Sequence, residues 1–144
     1  MKKTTVLSLA SLLSFAILPF AHADQGMSFS DLHQKARGSW DLYIINGHVP
    51  LGYPNIEITD RDMFGDSGCN DFFGGFTDFS ENNLQSDGVA TTRMYCGYER
   101  DQQESQVVEA LEQTTVLSYD EATDALTIGS EENTLIFKRA RYYK

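Results

Sequence analysis

The chain carries its clearest structural signature in nine consecutive residues, Gly68-Cys69-Asn70-Asp71-Phe72-Phe73-Gly74-Gly75-Phe76. Asn70 tolerates left-handed backbone geometry and can hydrogen-bond its own backbone, which is typical of a tight bend. Gly68 and Gly74 relieve crowding where chain segments cross closely. Phe72 supplies a large apolar side chain for a core. The nine residues therefore predict a glycine-rich bend that leads into an aromatic strand, with a bulge or a close backbone approach at Gly74-Gly75.

A second motif, Thr92-Arg93-Met94-Tyr95-Cys96, lies in a strand predicted over residues 89–96. Successive side chains of a strand point to opposite faces. Thr92, Met94 and Cys96 are therefore expected on one face, with Met94 filling core. Arg93 and Tyr95 are expected on the opposite, exposed face.

Hydrophobic periodicity predicts the other elements. Trp40, Leu42 and Ile44 alternate in a strand that ends at Asn46-Gly47, a pair typical of a tight hairpin turn. Residues 49–54 contain two prolines and predict a loop, and residues 99–113 predict a helix. The remaining strands are predicted at residues 55–59, 72–79, 115–119, 125–128 and 134–139. The expected fold class is α+β, mostly antiparallel β: a compact sheet or partial barrel of roughly seven or eight strands with one covering helix and one disulfide.

The N-terminus is typical of a secretory signal peptide. Lys2 and Lys3 form a basic start, residues 6–20 are apolar, and Ala21-His22-Ala23 is a cleavage signal. The apolar run is too short to span a membrane and no cysteine follows the cleavage point, so we expect a periplasmic or secreted protein. The expected organisation is a signal peptide at residues 1–23, a flexible segment at residues 24–35 and one domain at residues 36–144.

Composition argues against several classes of function. The formal net charge is −10, and it becomes −12 after cleavage because the signal peptide contains two lysines and no acid. An acidic chain without a basic block is a poor binder of nucleic acid, so no nucleic-acid partner is expected. We also expect no transmembrane segment and no cofactor, because the sequence offers no second apolar run and no cofactor motif.

Cys69 and Cys96 are the two cysteines of the chain. In an oxidising compartment an isolated pair is most simply a disulfide, which would contribute about 3.6 kcal/mol by chain entropy. The alternative is a redox or metal site. Zinc takes four ligands, whereas only His33 and His48 remain after processing, and there is no C-x-x-C motif for thiol exchange. The prediction is a structural disulfide and no metal.

Together, the two motifs resemble those of the META domain family, whose bacterial members are HslJ-like heat-shock proteins. The first fits G-C-N-x-F/Y-x-G-x-Y/F and the second fits T-x-M-x-C. The flanking segments Gly38-Ser39-Trp40-Asp41-Leu42, Leu126-Thr127-Ile128 and Leu135-Ile136-Phe137-Lys138-Arg139 are similar to the opening and closing strands of the family. The resemblance covers residues 36–139.

The resemblance implies a compact antiparallel sheet with one helix, exported to the envelope and associated with stress response. Because some members of the family are linked to antibiotic tolerance or virulence, the resemblance also implies such a role. It implies no reaction, because the family has no established catalytic residues to carry over. Bacterial members are often lipoproteins, and this chain departs from them by lacking a lipobox cysteine.

The motif residues have two interpretations. The first is architecture held by the disulfide between Cys69 and Cys96. The residues that would hold it are Trp40, Gly68, Asn70, Phe72, Gly74, Thr92 and Met94. The second is a binding surface, because bends and loops often carry function. That surface would present Asp66 and Asp71 beside Arg93 and Tyr95.

The leading functional hypothesis is a non-enzymatic stress-response or drug-tolerance module that binds an envelope protein, a host protein or a small molecule. The alternative is a secreted inhibitor or decoy that docks a cationic enzyme through an acidic surface. The residues of that surface would be Glu109, Glu112, Asp120, Glu121, Asp124, Glu131 and Glu132.

Two local patterns suggest chemistry that the rest of the chain does not support. Gly65-Asp66-Ser67-Gly68 matches the nucleophile signature of chymotrypsin-like proteases, but the chain is too short for two barrels. Asp60, Asp62 and Asp66 begin like a calcium loop, but the EF-hand frame fails further along. These three aspartates are weak candidates for a cation site, against the simpler interpretation of a solvated turn. No nucleophile–base pair is evident, so an enzyme is not expected.

Overall fold

The structure is a computed structural model that describes residues 30–80 and 83–141. It confirms the predicted fold class: antiparallel strands form a curled half-barrel sheet, accompanied by helices and a disulfide between Cys69 and Cys96. In chain order the elements are α1 (Asp31–Ala36), β1 (Gly38–Ile45), β2 (Asn55–Ile58), β3 (Asp62–Asp66), β4 (Asp71–Ser80), β5 (Asn83–Thr91), α2 (Tyr98–Glu112), β6 (Val116–Asp120), β7 (Ala125–Gly129) and β8 (Thr134–Arg139).

Strand β1 lies in the middle of the sheet. The spatial order is β5-β4-β3-β2-β1-β8-β7-β6, so β1 pairs with β2 on one side and β8 on the other. The chain thus builds two meanders that meet at β1. Helix α2 connects the two outer strands, β5 and β6, and packs against β5, β7 and β8.

Alternating burial along the strands puts the core on the inner face of the sheet. Met63 of β3 and Phe72 of β4 are buried, whereas their chain neighbours Phe64 and Phe73 are exposed. Helix α2 covers this core with a stripe of buried side chains. The buried residues of the stripe are Gln103, Val107, Ala110 and Leu111. Within the described ranges, neither helix has the length and apolar character needed to cross a bilayer.

Strand β1 switches its inward face partway along. Trp40 and Leu42 are buried as predicted, but the register against β8 shifts between Leu42 and Ile44. A bulge displaces the alternation by one residue. Ile45, rather than Ile44, therefore joins the core. The turn that follows has the predicted geometry, with φ of 48° at Asn46 and 81° at Gly47.

Two strands differ from the sequence prediction. Strand β3 (Asp62–Asp66) was not predicted, because Gly65 interrupts its hydrophobic alternation. Strand β5 ends at Thr91, so the prediction of a strand over residues 89–96 is wrong beyond that point. Residues 92–97 form an irregular linker to α2, which itself begins and ends one residue earlier than predicted.

Helix α1 occupies part of the segment predicted to be flexible, residues 24–35. Its N-cap residue Ser30 accepts the His33 N–H at 3.1 Å. The buried His33 ring stacks on Phe79 at 4.2 Å and its Nε2 lies 3.0 Å from the Thr59 carbonyl oxygen. Within the described residues the first element is therefore α1, which precedes the predicted boundary at residue 36. The predicted signal peptide and residues 24–29 lie outside the described residues.

Arg139 ties α1 to the centre of the sheet. Its guanidinium carbon lies 3.8 Å from the centroid of the Trp40 ring. Its Nη1 and Nη2 donate to the carbonyls of Arg37 and Lys35, both at 2.8 Å. These carbonyls end α1 and have no intrahelical donor, so the guanidinium satisfies them. Lys35 also donates hydrogen bonds to Glu121 and Asp31, which reinforce the C-terminal end of α1. These bonds raise the pKa of Lys35 above its ordinary value, and Glu121 contributes more than Asp31.

Gly65→Ala should destabilise the protein strongly. A Cβ at this position would lie 2.0 Å from the Asn55 carbonyl oxygen, a backbone atom that cannot retreat without breaking the pairing of β2 with β3. We expect a loss of about 2–3 kcal/mol in the free energy of unfolding, measured by urea denaturation.

Gly75→Ala is the matched control for this substitution. Its Cβ would meet only the Asp87 carboxylate, at 3.0 Å, and that side chain can rotate away. We expect a loss below about 1 kcal/mol. Equal destabilisation by the two substitutions would contradict the steric argument.

Candidate functional site

The side-chain amide of Asn70 acts as a strand partner for the linker at residues 92–97. Its Oδ1 accepts the Met94 N–H at 2.7 Å, and its Nδ2 donates to the Met94 carbonyl at 3.0 Å. The Thr92 hydroxyl donates to the same Oδ1 at 2.9 Å. Asn70 is only 2% exposed, so these bonds form away from water. The amide thus satisfies backbone groups that the end of β5 leaves without a neighbouring strand.

The prediction that Met94 fills the core is wrong. Its side chain is 62% exposed, because the chain leaves the sheet after Thr91 and strand alternation no longer applies. The backbone of Met94, held by Asn70, is what the motif uses. Phe72 is buried in the core as predicted.

Gln103 repeats the Asn70 arrangement on the other side of the bend. Its Nε2 donates to the carbonyls of Leu51 and Ser67 at 3.0 and 2.7 Å, and its Oε1 accepts the Leu51 N–H at 2.7 Å. Gly68, with φ of 94°, leaves the space for this amide, because a Cβ there would lie 2.4 Å from Nε2. Arg100 adds a bond to the Gly68 carbonyl at 2.6 Å. One polar side chain of α2 therefore fixes two loops to the helix.

The disulfide joins the two motifs as predicted. Cys69 and Cys96 are bonded with a Cα–Cα distance of 5.7 Å. Asp101, in the first turn of α2, accepts the Cys96 N–H at 3.2 Å. The bend, the linker and the start of α2 are thus held by one covalent bond and the two amides.

Ser67 of the protease-like tetrapeptide is a structural residue. It is fully buried, and its Oγ lies 2.9 Å from both the Asn70 carbonyl and a Glu104 carboxylate oxygen. The two histidines in the described ranges lie elsewhere: His33 contacts the Thr59 carbonyl, and His48 contacts the Asn46 carbonyl. The described structure therefore gives Ser67 neither a histidine base nor access to a substrate.

The three aspartates of the calcium-like pattern are not brought together. Asp60 lies in the turn before β3 and pairs with Arg37 at 2.9 Å. Asp66 lies at the far end of β3, about 13 Å from Asp62 at the rise of a strand. Its Oδ1 accepts the Gly68 N–H at 2.5 Å. The weak cation-site hypothesis is therefore wrong for these residues.

The predicted acidic surface divides into two parts. Glu109, Glu112, Glu131 and Glu132 line an open cavity of about 550 Å³ at the C-terminal end of α2. Asp120, Glu121 and Asp124 lie at the turn between β6 and β7, where Glu121 pairs with Lys35 and Asp124 pairs with Arg139.

The four residues predicted to form a binding surface, Asp66, Asp71, Arg93 and Tyr95, lie at one end of the sheet. Asp66 and Asp71 are register partners across β3 and β4. The Asp71 carbonyl accepts the Thr92 N–H at 3.0 Å, which brings the linker alongside. Arg93 is exposed and Tyr95 is 83% exposed. Thr92 and Met94 are exposed as well, so the predicted division into two strand faces does not hold beyond Thr91.

Sequence reasoning missed the apolar centre next to this surface. Phe64 of β3 and Phe73 of β4 are register partners on the outer face, 44% and 54% exposed. Directly opposed side chains on one face lie about 5 Å apart at Cβ, so Phe64 and Phe73 are neighbours on the outer face. We call these two residues the Phe64–Phe73 patch. The sequence feature that could have indicated this exposure is the alternation in β3 and β4. Since Met63 and Phe72 are buried, Phe64 and Phe73 must point to the opposite face.

Carboxylates border the Phe64–Phe73 patch along both strands and toward β2. Glu57 is the register partner of Phe64 on β2. Toward the bend the next pair on this face is Asp66 with Asp71, and in the other direction it is Asp62 with Gly75. Asp87 reaches over Gly75 and accepts its N–H at 3.0 Å. The bordering carboxylates are Glu57, Asp62, Asp66, Asp71 and Asp87.

A depression of about 500 Å³ lies beside Phe73 at the edge formed by β5. Gly74, Gly75 and Gly88 line part of it, so backbone rather than side chains bounds the space. Its acidic lining residues are Asp62, Asp87 and Glu112. The Glu112 carboxylate also accepts the Val89 N–H at 2.9 Å, which fixes it at this edge. The depression can accommodate a cationic side chain next to the Phe73 ring.

Comparison with known families agrees with this architecture. The family model of the META domain matches residues 31–142. The chain belongs to the META domain family. The META match begins at the first residue of α1, so this helix is part of the domain, and both motifs lie within the match.

This META-domain protein is also similar to a solved structure. An NMR structure of a protein from Burkholderia xenovorans is similar with a TM-score of 0.59 and 20% identity, covering 76% of this chain and 86% of that one. At this identity the likeness shows a shared fold. A search of curated proteins finds no match.

Asn70→Ala should weaken the junction of the two motifs, where the bend at Asn70 contacts the linker at residues 92–97. The substitution removes the partners of the Met94 N–H, the Met94 carbonyl and the Thr92 hydroxyl, at a cost of about 3 kcal/mol in unfolding free energy. Thermal and urea denaturation of the oxidised protein measure this loss. Asn55→Ala is the control, because Asn55 is exposed and makes one bond of 3.3 Å; we expect about 0.5 kcal/mol or less. A loss no larger than that of the control would refute the role given to the Asn70 amide.

Proposed function

We propose that this META-domain protein is exported and acts without catalysis, as a stress-linked module that binds a basic, apolar segment of a partner protein. The observation that carries the proposal is the Phe64–Phe73 patch: two exposed, register-paired aromatic rings among carboxylates. Export rests on the predicted signal peptide, and the link to stress rests on the family resemblance. The residues of the binding surface are the patch and its five bordering carboxylates.

The patch supplies the apolar part of the interface. Single exposed apolar side chains are normal on a soluble protein, but paired aromatic rings with a polar border have the composition of an interface centre. Large aromatic side chains give much contact area at low entropic cost and dominate binding energies. A partner residue such as leucine or phenylalanine would cover both rings.

The bordering carboxylates supply selectivity for a basic partner. They add to a chain whose formal net charge is −10, so a cationic segment is attracted and an acidic one is repelled. The depression beside Phe73 has room for a lysine or arginine whose aliphatic stem contacts the ring and whose charge faces Asp62 and Asp87. Because these carboxylates are exposed or half-buried and so reach solvent, association should weaken as salt increases.

The proposal of a non-enzymatic role is supported by the structural contacts of the polar residues in and around the bend. Ser67, Asn70 and Gln103 are buried and hydrogen-bonded to backbone or to neighbouring side chains. Their contacts stabilise the bend and the linker. The inhibitor or decoy hypothesis is a special case of the same surface, in which the basic segment belongs to an enzyme.

Export predicts a defined mature N-terminus. When the full chain is expressed in a bacterial host, the envelope fraction should contain a product that begins at Asp24, measured by intact mass. Ala23→Arg should block cleavage, because the A-x-A signal needs a small residue there. His22→Gln should leave cleavage intact, since the middle position is permissive. Full-length protein retained in the cytoplasm would argue against export.

The Phe64–Phe73 patch should bind a short synthetic peptide of alternating arginine and leucine. Calorimetric titration should show affinity that falls with salt and that drops about tenfold or more in the double variant Phe64→Ser and Phe73→Ser. Asp62→Asn with Asp87→Asn should weaken the salt dependence. Tyr43→Ser is the control, since Tyr43 is an exposed aromatic residue of β1 outside the patch.

Two peptides sharpen this test of the binding surface. One replaces arginine with glutamate, and the other replaces leucine with serine; both should bind more weakly than the original. Equal binding of all three peptides would contradict the proposed binding surface. So would an unchanged affinity of the double phenylalanine variant for the arginine–leucine peptide.

A further inference from the structure

We infer that reduction of the Cys69–Cys96 disulfide creates a binding site for a divalent zinc ion, formed by the two thiolates and the Asp101 carboxylate. This inference concerns the junction of the two motifs rather than the Phe64–Phe73 patch, and it does not depend on the proposed binding function.

Three ligand-type atoms converge at the junction. The sulfurs of Cys69 and Cys96 and a carboxylate oxygen of Asp101 all lie within 4.8 Å of one another. Asp101 Oδ1 lies 3.7 Å from Cys69 Sγ. In a tetrahedral zinc site, Zn–S bonds of about 2.3 Å and Zn–O bonds of about 2.0 Å separate sulfur from oxygen by about 3.5 Å. The carboxylate therefore already stands at the distance that a shared zinc ion requires.

A second oxygen also lies close to the cysteine pair. The Met94 carbonyl oxygen is 3.5 Å from Cys69 Sγ. Zinc bound by three protein side chains keeps a fourth position, which this carbonyl or a water molecule can fill. The reduced sulfurs need only move apart to about 3.8 Å, because two thiolates of one zinc ion have that separation. The Cα–Cα distance of 5.7 Å allows this by side-chain rotation.

The surroundings of these atoms orient them independently of the S–S bond. Asp101 is held by the Cys96 N–H at 3.2 Å. The Met94 carbonyl is held by Asn70 Nδ2 at 3.0 Å, and the same nitrogen lies 3.3 Å from Cys69 Sγ. Hydrogen bonds of this kind fix the ligands of metal sites. Since they do not use the S–S bond, the three ligands should stay together after reduction.

A dithiol can reduce the Cys69–Cys96 disulfide. The dithiol gives up two electrons and two protons and becomes a disulfide, while the Cys69–Cys96 bond breaks and both sulfurs become thiols. Zinc binding then displaces one proton from each thiol. Zinc thus replaces the covalent link between the bend and the linker. In the reverse direction a disulfide oxidant takes two electrons from the two thiolates and two protons from water and becomes a dithiol, while the Cys69–Cys96 bond re-forms and the ion is released.

Cobalt and zinc titrations of the mature chain test the site. The protein is reduced with a phosphine, which takes up oxygen from water as the phosphine oxide, and is kept free of air. Co²⁺ should then give one equivalent of a sulfur-to-cobalt charge-transfer band with the visible bands of tetrahedral coordination. Added Zn²⁺ should abolish these bands, and the oxidised protein should show none of them.

Asp101→Asn distinguishes the three-ligand site from binding by the cysteines alone. The amide keeps a hydrogen-bond acceptor for the Cys96 N–H but loses the anionic ligand, so zinc affinity should fall about tenfold or more. Glu99→Gln removes another carboxylate of the same helical turn and should leave the affinity unchanged. Circular dichroism of the oxidised variants verifies that both are folded.

Each remaining outcome overturns the inference. Reduced protein that shows no cobalt band has no such site, whether it stays folded or unfolds. A cobalt band that is unchanged in Asp101→Asn, or equally weakened in Glu99→Gln, means that Asp101 is not a ligand.

Discussion

The side-chain amide of Asn70 pairs with the backbone of Met94 in both directions, and three parts of the molecule depend on that pairing. It lets β5 leave the sheet without exposing unsatisfied backbone groups. It brings the linker close enough for Cys96 to reach Cys69. The linker in turn places the first turn of α2, the helix that covers the inner face of the half-barrel. An amide is suited to this task because it offers a donor and an acceptor side by side, as a peptide group does.

Polar side chains, rather than strands, close this end of the half-barrel. Gln103 binds the loop before β2 and the bend, while Asn70 binds the linker. Burying amides is costly unless every group is paired, and in the described ranges no buried side-chain nitrogen or oxygen lacks a partner. The network therefore makes the geometry of the bend specific. The bend that this network stabilises connects β3 to β4, which pair in the register that aligns Phe64 with Phe73 on the outer face.

Local patterns were sufficient to predict most elements, and the errors have physical causes. Residues 99–113 and the turn at Asn46-Gly47 were predictable because helix propensity and positive φ are local properties. Met94 was misplaced because alternation holds only inside a strand, and the end of β5 is decided by a side chain more than twenty residues earlier. The Phe64–Phe73 patch was missed for a related reason. Register between strands is a tertiary property, so the juxtaposition of two exposed rings is invisible until both strands and their pairing are known.

The central position of β1 has a consequence for how the protein folds. On one side β1 pairs with β2, which follows it closely in the chain. On the other side it pairs with β8, the most C-terminal of the described strands, so that edge must wait for β8. Arg139, which completes the packing around Trp40, bonds a carbonyl 102 residues earlier in the chain. Closing so long a loop is slow compared with forming a hairpin. A chain that emerges N-terminus first therefore presents an unpaired edge of β1 until β8 has been made, and during that interval it is most exposed to aggregation and proteolysis.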